Sequence, residues 1–295
     1  MGFKAEVIAK SIGPAGQLLE TTALRYPRII HAEFMTHREF SRNASSSRAI
    51  PVAKVIEQVR NDPAMPVHWG TNKPGMQAGA ELEGPERIQA IELWLKAAEE
   101  AANTAERMMD MGLHKQVANR ILEPFQWMHT LVTTVSKSNW NGLRLHPDAD
   151  PTIHELARVW DVASRAAIPN HLGIGEWHLP YINVDDQRAA YSYLKRSRLT
   201  RDEPRAEQVV AVLKMVSAAR CARVSYLTHE GKQTTVEQDI DLYHRLVRSE
   251  IIHASPTEHQ ATPDVFFGSW ANYRLHGNLP GWIQHRKQLD REYIR

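Results

Sequence analysis

Cysteine is almost missing from this chain: Cys221 is the only one among 295 residues. That lone thiol excludes an internal disulfide and any Cys-rich zinc or iron–sulfur site, and it points to a reducing, cytoplasmic setting. An excess of one charge is missing too, with 36 Lys and Arg against 34 Asp and Glu and a net charge of +2. A nucleic-acid coat, which has to neutralise many phosphates, is therefore not expected, whereas anionic small molecules fit. Long apolar runs are also lacking. The start, MGFKAEVIAKSIG, is interrupted by Lys4, Glu6 and Lys10, and the most apolar stretch, 124–135, falls short of the roughly 20 residues that a membrane span needs. Neither a signal peptide nor a membrane segment is expected. What is present is ordinary: 42% hydrophobic and 24% charged residues, 15 Gly and 16 Pro, the composition of a folded globular protein.

At roughly 150 residues per domain the length allows one large domain or two modest ones. No repeat, low-complexity tract or linker divides it, so one α+β domain over 1–295 is expected, with loop insertions near 61–84 and 169–205. Residues 4–34 read as two strands, KAEVIAKSI and LRYPRIIHAEF, with Gly13, Pro14 and Gly16 turning between them. Pro51 opens a short helix with Val52, Val55, Ile56 and Val59 as its apolar stripe, because a proline at the first helical position loses no hydrogen bond. Pro85 begins the clearest helix. It carries Ile88, Ile91, Leu95 and Met108 on repeating faces, Met109 and Met111 as further core filling, and Gly112 as its C-cap. A second helix is expected from Lys115 to Val132, and a third after the cap pair Asp150-Pro151. Helices return at 206–222 and 236–249, and the tail from Trp282 reads as helical.

The densest polar stretch is Thr36-His37-Arg38-Glu39-Phe40-Ser41-Arg42-Asn43-Ala44-Ser45-Ser46-Ser47-Arg48. Guanidinium forks and hydroxyls on such a loop can grip phosphate, although composition alone favours a solvated Ser/Arg loop. Other signals are weaker. Cys221, between Arg220 and Arg223, has no obvious base and reads as a structural thiol. His253, Glu258 and His259 lack the spacing of a zinc motif, so no metal site is expected, and Gly173-Ile174-Gly175 lacks the third glycine of a dinucleotide fingerprint.

Spacing within the polar stretch resembles the signature of the flavin-dependent thymidylate synthases, an Arg-His-Arg followed by spaced Ser, Asn, Ser and Arg. His37, Arg38, Ser41, Asn43, Ser46 and Arg48 stand at matching positions, with Thr36 in place of the first arginine and Ala49 in place of the closing tyrosine. Arg120 in ANRILEP is similar to the family's arginine before a Leu-Pro step. Asn139 and Leu143-Arg144, with Ala149 and Ile153, resemble its Asn and Leu-Arg segment, although Asp150 and Thr152 stand where Gln and Glu are usual. Ala222-Arg223-Val224-Ser225-Tyr226 resembles its Ala-Arg-Val-x-Tyr segment, and His253-Ala254-Ser255-Pro256-Thr257-Glu258-His259 its Gly-His-x-Ser-Pro-x-Glu-His motif. In the common form of the family these last two come before the Arg-His-Arg signature, so the chain resembles a circularly permuted version. GLHKQ, HPDA, GEWHLP and GWIQHRK make it similar to a long variant found among bacterial viruses.

The resemblance implies an α/β fold with a central, mostly antiparallel sheet flanked by long helices, and a cytoplasmic homotetramer with shared active sites, in the host cytoplasm if the source is viral. It also implies noncovalent FAD, with NADPH and methylene-tetrahydrofolate as co-substrates, and one-carbon transfer to C5 of dUMP to give dTMP without a protein nucleophile. By the same resemblance Thr36, His37, Arg38, Asn139, His253 and Ser255 contact flavin, while Glu33, Ser46, Ser47, Arg48, Arg120 and Arg144 contact the nucleotide. Arg144, which would stabilise negative charge on the pyrimidine, and Ser46 are the implied catalytic residues. Glu33 stands where the family has Gln, and Ala44 where it has Glu. An ionised carboxylate cannot donate a hydrogen bond, so a paralogue acting on another pyrimidine, dCMP or one giving a hydroxymethylated product, is the alternative. The alternative from a different class is a non-catalytic nucleotide- or nucleic-acid-binding protein using the Arg/Ser loop on phosphate.

Overall fold

The computed structural model describes residues 2–197, 203–224, 234–290 and 292. KAEVIAKSI forms β1 (Lys4–Ile12), which turns through 13–17 into antiparallel β2 (Leu18–Pro27). Gly16 closes that turn at φ 80°, where a side chain would be strained. The second strand ends earlier than its sequence suggests. Pro27 donates nothing to the ladder, and the chain leaves the sheet through a 3-10 turn, Arg28–Ile30, and α1 (His31–Phe34), so RIIHAEF is not strand.

Then come β3 (Ser41–Ala44), inside the stretch read as a loop, α2 (Val52–Asn61) and α3 (Gly84–Asp110). The α2 stripe packs as expected, with Val52, Val55, Ile56 and Val59 against Ala98, Ala102 and Ala105 of α3. Nearer the start of α3, Ile88 and Leu95 are exposed rather than buried, and so is Met111 just past its end, while Met108 and Met109 pack on the core.

The long helix expected over 115–132 is absent. Only α4 (Lys115–Ala118) is α-helical; a 3-10 stretch, Asn119–Phe125, follows, and then β4 (Trp127–Thr134). Pro124 cannot continue helical hydrogen bonding, and WMHTLVTT is rich in β-formers. Because β4 runs between β2 and β3 with nearly every side chain buried, it carries no alternation that marks a strand.

α5 (Ser138–Arg144), α6 (Pro151–Ala166) and β5 (Asn170–His171) follow, and Asp150 Oδ1 accepts from the Thr152 and Ile153 amides as an N-cap. The expected insertion at 169–205 contains α7 (Val184–Arg196), opened by a capping box between Asn183 and Asp186. Next are α8 (Ala206–Arg223), α9 (Val236–Val247), a 3-10 turn at Ser255–Glu258, β6 (Ala261–Pro263), β7 (Trp282–Gln284) and a 3-10 turn at His285–Gln288. The tail from Trp282 is thus a strand and a turn, pinned by pairing with β6, not a helix.

The main sheet has the order β3-β4-β2-β1-β5 and is antiparallel except where β1 meets β5; β6 and β7 form a separate antiparallel pair. One face of the sheet packs Leu24, Tyr26, Met128 and Val132 against α5 and α6, with Trp140 and Trp160 fully buried. Truncating such a tryptophan to alanine costs about 3–5 kcal/mol. The helices α7, α8 and α9 close on Val212, Val216 and Ile240 as a second packed block. No helix among the described residues is long and apolar enough to cross a membrane.

Candidate active site

The loop after α1 is shaped by one arginine. Arg42 Nη1, from β3, donates to the carbonyls of Phe34 at 3.4 Å, Met35 at 3.0 Å and His37 at 3.0 Å, so it winds the loop around itself. The Thr36 hydroxyl donates to the Glu33 carbonyl at 2.7 Å, which spends it on the turn. His37 is stacked on Phe40 and meets the edge of Trp140 at 4.7 Å between ring centroids. From α5, Arg144 Nε donates to His37 Nε2 at 3.0 Å, and Arg144 Nη1 pairs with Glu33 at 3.4 Å. The fold thus brings Arg144 to Glu33 and His37, each more than a hundred positions away from it in sequence.

Burial, then the charges of Arg144 and Arg42, push His37 down to about 4. At neutral pH the imidazole is uncharged, with Nε2 as acceptor and the proton on Nδ1. Arg144 Nη2 makes no hydrogen bond among the described residues, so a donor remains for a ligand. Neighbouring His31 is likewise pushed down to about 4 by burial and by Arg28 and Arg42, while its Nδ1 hydrogen-bonds the Tyr26 hydroxyl at 2.8 Å.

Ser46, Ser47 and Arg48 occupy a turn pinned by its backbone. Asn119 Nδ2 donates to the carbonyls of Ser47 and Ile50 at 2.7 and 3.0 Å, and Lys115 Nζ donates to that of Ala49 at 2.9 Å. The Ser46 hydroxyl oxygen accepts from the Arg48 amide. Ser47 is buried, yet its hydroxyl has no partner among the described residues and lines a cavity of about 70 Å3 with Arg28, Lys54, Gln126 and His129. Arg48 and Arg38 are exposed and also lack side-chain partners among the described residues. Arg120 pairs with Glu123 at 2.9 Å, and Glu123 also takes Arg28 at 2.9 Å. No ion pair or hydrogen bond joins Arg48 or Arg120 to Arg144.

The C-terminal motif returns to this place within the same chain. The Ser255–Glu258 turn packs against β3. Gln284 Nε2 donates to the Glu258 carbonyl at 3.0 Å and reaches Ser41 Oγ at 3.4 Å, and Asn278 bonds both the Ser41 hydroxyl and the Glu39 carbonyl. Glu258 pairs with Arg286. His253 and Ser255 are exposed, as is Asn139 on α5, and none has a side-chain partner among the described residues. Arg223 is different. Both Nε and Nη2 donate to Asp239 Oδ1, at 3.1 and 2.9 Å, so it serves the helical block; Ser225 and Tyr226 of that motif lie outside the described residues.

Sequence reasoning missed Arg28, His31, Arg42 and Lys54. The first two sit in RYPRIIH, which reads as strand, and Arg42 fills a position the signature leaves open. A larger groove, of about 830 Å3, runs along β1 over Glu6, Arg25 and Tyr181 and touches none of the residues expected in a site.

No family model and no curated protein matches the sequence. Among solved structures, the UMP/dUMP methylase PolB from Streptomyces cacaoi bound with 5-Br dUMP aligns at 15% identity and a TM-score of 0.45, over 55% of this chain and 89% of that one. The same methylase bound with 5-Br UMP aligns at 16% identity and a TM-score of 0.41, over 55% and 86%.

Proposed function

We propose that the protein is a flavin-dependent pyrimidine nucleotide methyltransferase that converts dUMP to dTMP. The observation that carries this reading is Arg144, held by neutral His37 and by Glu33 with one guanidinium nitrogen left over, beside a loop that matches the family signature. Donors on the same polar stretch suit an anionic, polar occupant: Arg38 and Arg48 are unpartnered among the described residues, and Ser47 lines a small cavity. Arg48, Ser46, Ser47 and Arg120 would hold the nucleotide, and Thr36, His37, Arg38, Asn139, His253 and Ser255 would hold FAD. When bound, FAD would supply the redox chemistry, with NADPH as reductant and methylene-tetrahydrofolate as one-carbon donor. Arg144 would stabilise negative charge building on the pyrimidine as C5 becomes nucleophilic, a charge-assisted contact in a partly desolvated place. Ser46, whose oxygen accepts from the Arg48 amide, keeps its own proton to donate. Homotetramers with shared sites would cover the exposed Ile88 and Leu95 of α3.

Glu33 favours a second reading. Its carboxylate accepts only, so beside Arg144 it would suit a base with an exocyclic amine, as in dCMP. The test is to purify the full chain, look for flavin absorbance released on denaturation, and assay dUMP and dCMP side by side with methylene-tetrahydrofolate and NADPH. dTMP from dUMP is expected; methylated product from dCMP alone selects the second reading, and a colourless protein that takes up no added FAD refutes both.

A further inference from the structure

On the sheet face that carries the C-terminal segment, a row of side-chain hydrogen bonds crosses the strands. Ser11 on β1 meets His178 Nδ1 at 2.8 Å, and His178 Nε2 meets the Thr21 hydroxyl on β2 at 2.8 Å. Thr21 meets the Thr133 hydroxyl on β4 at 2.6 Å, and Thr133 meets His259 Nδ1 at 2.8 Å. All five residues are buried, and Thr21, Thr133 and His259 completely so. Each inner hydroxyl has one proton, so it donates to one neighbour and accepts from the other, and the row runs in one direction as a unit. Loss of a single inner hydroxyl leaves two buried groups unmatched. His259 is also the C-cap of the Ser255–Glu258 turn, and Glu258 is tied through Gln284 to Ser41 of the polar loop.

We propose that this row sets the position of the Ser255–Glu258 turn from the sheet face on which the turn packs, with His178 and His259 as positioning residues for the candidate site. Both imidazoles are pushed down to about 3, chiefly by burial, so the row stays uncharged at neutral pH. The turn is then held from within the core rather than by the exposed side chains around it. His178 itself is carried by the segment that bridges to Ala261, and its ring meets Trp282 of β7 edge-on at 6.5 Å between centroids.

Hydrogen exchange on the full chain tests this without any ligand. In Thr133→Val, which removes the hydroxyl and keeps the shape, the 253–262 segment is expected to exchange about tenfold faster, while Thr133→Ser restores its protection. Val59→Ala, in the α2–α3 core away from the turn, is the control that lowers stability and leaves that segment's relative protection alone. FAD titration is a second arm and rests on the function proposed above: its Kd should rise about tenfold in Thr133→Val and stay put in the control. Unchanged exchange of 253–262 in Thr133→Val overturns the proposal. A wild-type chain that binds no FAD sinks the functional reading alone, and the exchange result still decides this one. If Thr133→Val does not fold, Ser11→Ala breaks only the outermost bond, and wild-type exchange there is equally fatal.

Discussion

Arg38, Arg48 and Arg144 contrast with Arg220 and Arg223 of α8, although Arg223 sits in a motif of similar appearance and Arg220 lies just before it. Arg220 grips Asp186 with both Nη atoms at 2.6–2.7 Å and Asp239 through Nε at 3.0 Å, and Arg223 doubles onto Asp239. Asp239 is fully buried and also accepts from the Thr234 hydroxyl. These guanidinium groups are used up by carboxylates that the fold supplies. Arg38 and Arg48 have no such partners among the described residues, and Arg144 leans on a neutral imidazole and a half-exposed carboxylate. What separates a guanidinium used up by the fold from one left available is whether a buried acid has been folded beside it, which motif spacing does not report.

Removing the acid of the helical block gives the largest expected effect. Asp239→Ala leaves Arg223 without its carboxylate and Arg220 with only one, and breaking a buried pair in this way costs about 3–5 kcal/mol. Urea unfolding should show that loss as a lower midpoint; a change within about 0.5 kcal/mol would put α8's arginines in the same class as those of the loop.

Legibility in the sequence follows the same division between local and distant causes. The Asp150 N-cap and the α2 stripe act within a few residues, and the structure bears them out; Pro51 also marks the start, but as the extended residue before Val52 rather than as the first helical position. The Asn183/Asp186 capping box is equally local and equally visible, yet 169–205 reads as a loop insertion because the stretch is charged and flanked by prolines. β4 is another matter. Its identity depends on being flanked by β2 and β3, a pairing no window of ten residues can contain. Arg42 belongs with it, since a contact to three carbonyls of a preceding loop leaves no mark in spacing.

Arg144→Ala is the next effect in size and the sharpest test of the comparison. Turnover is expected to fall by about 10²–10³, as when one charge-stabilising donor is lost. Unfolding should shift by only about 1–2 kcal/mol, well below Asp239→Ala, because the pair with Glu33 is half exposed and the loss is mainly the hydrogen bond to buried His37. Full activity in that variant removes Arg144 from the chemistry. Arg48→Ala should do less: KM for the nucleotide rises about tenfold while kcat stays, the pattern of lost uniform binding.

The smallest expected effect is on a proton. His37 is held down at about 4 by burial first and then by Arg144 and Arg42, whereas the unfolded chain titrates it near the ordinary 6.5. Between those two values the unfolded chain carries a proton that the folded chain refuses, so this histidine's contribution to stability is intact above pH 6.5 and drains away as pH falls toward 4. Arg144→Ala removes one of the two charges and the hydrogen bond at Nε2, but burial, the larger cause, stays. His37 should therefore climb only part of the way back, and the pH window over which stability is lost should narrow from its acid side. Following the ring protons of His37 by NMR across pH 3–8 measures this directly. Arg223→Ala, which removes an arginine gripped by its own acid, should leave that titration where it was. If the two variants move His37 equally, the shift reports overall loosening of the fold, and Arg144 loses the electrostatic reach that separates it from the arginines of α8.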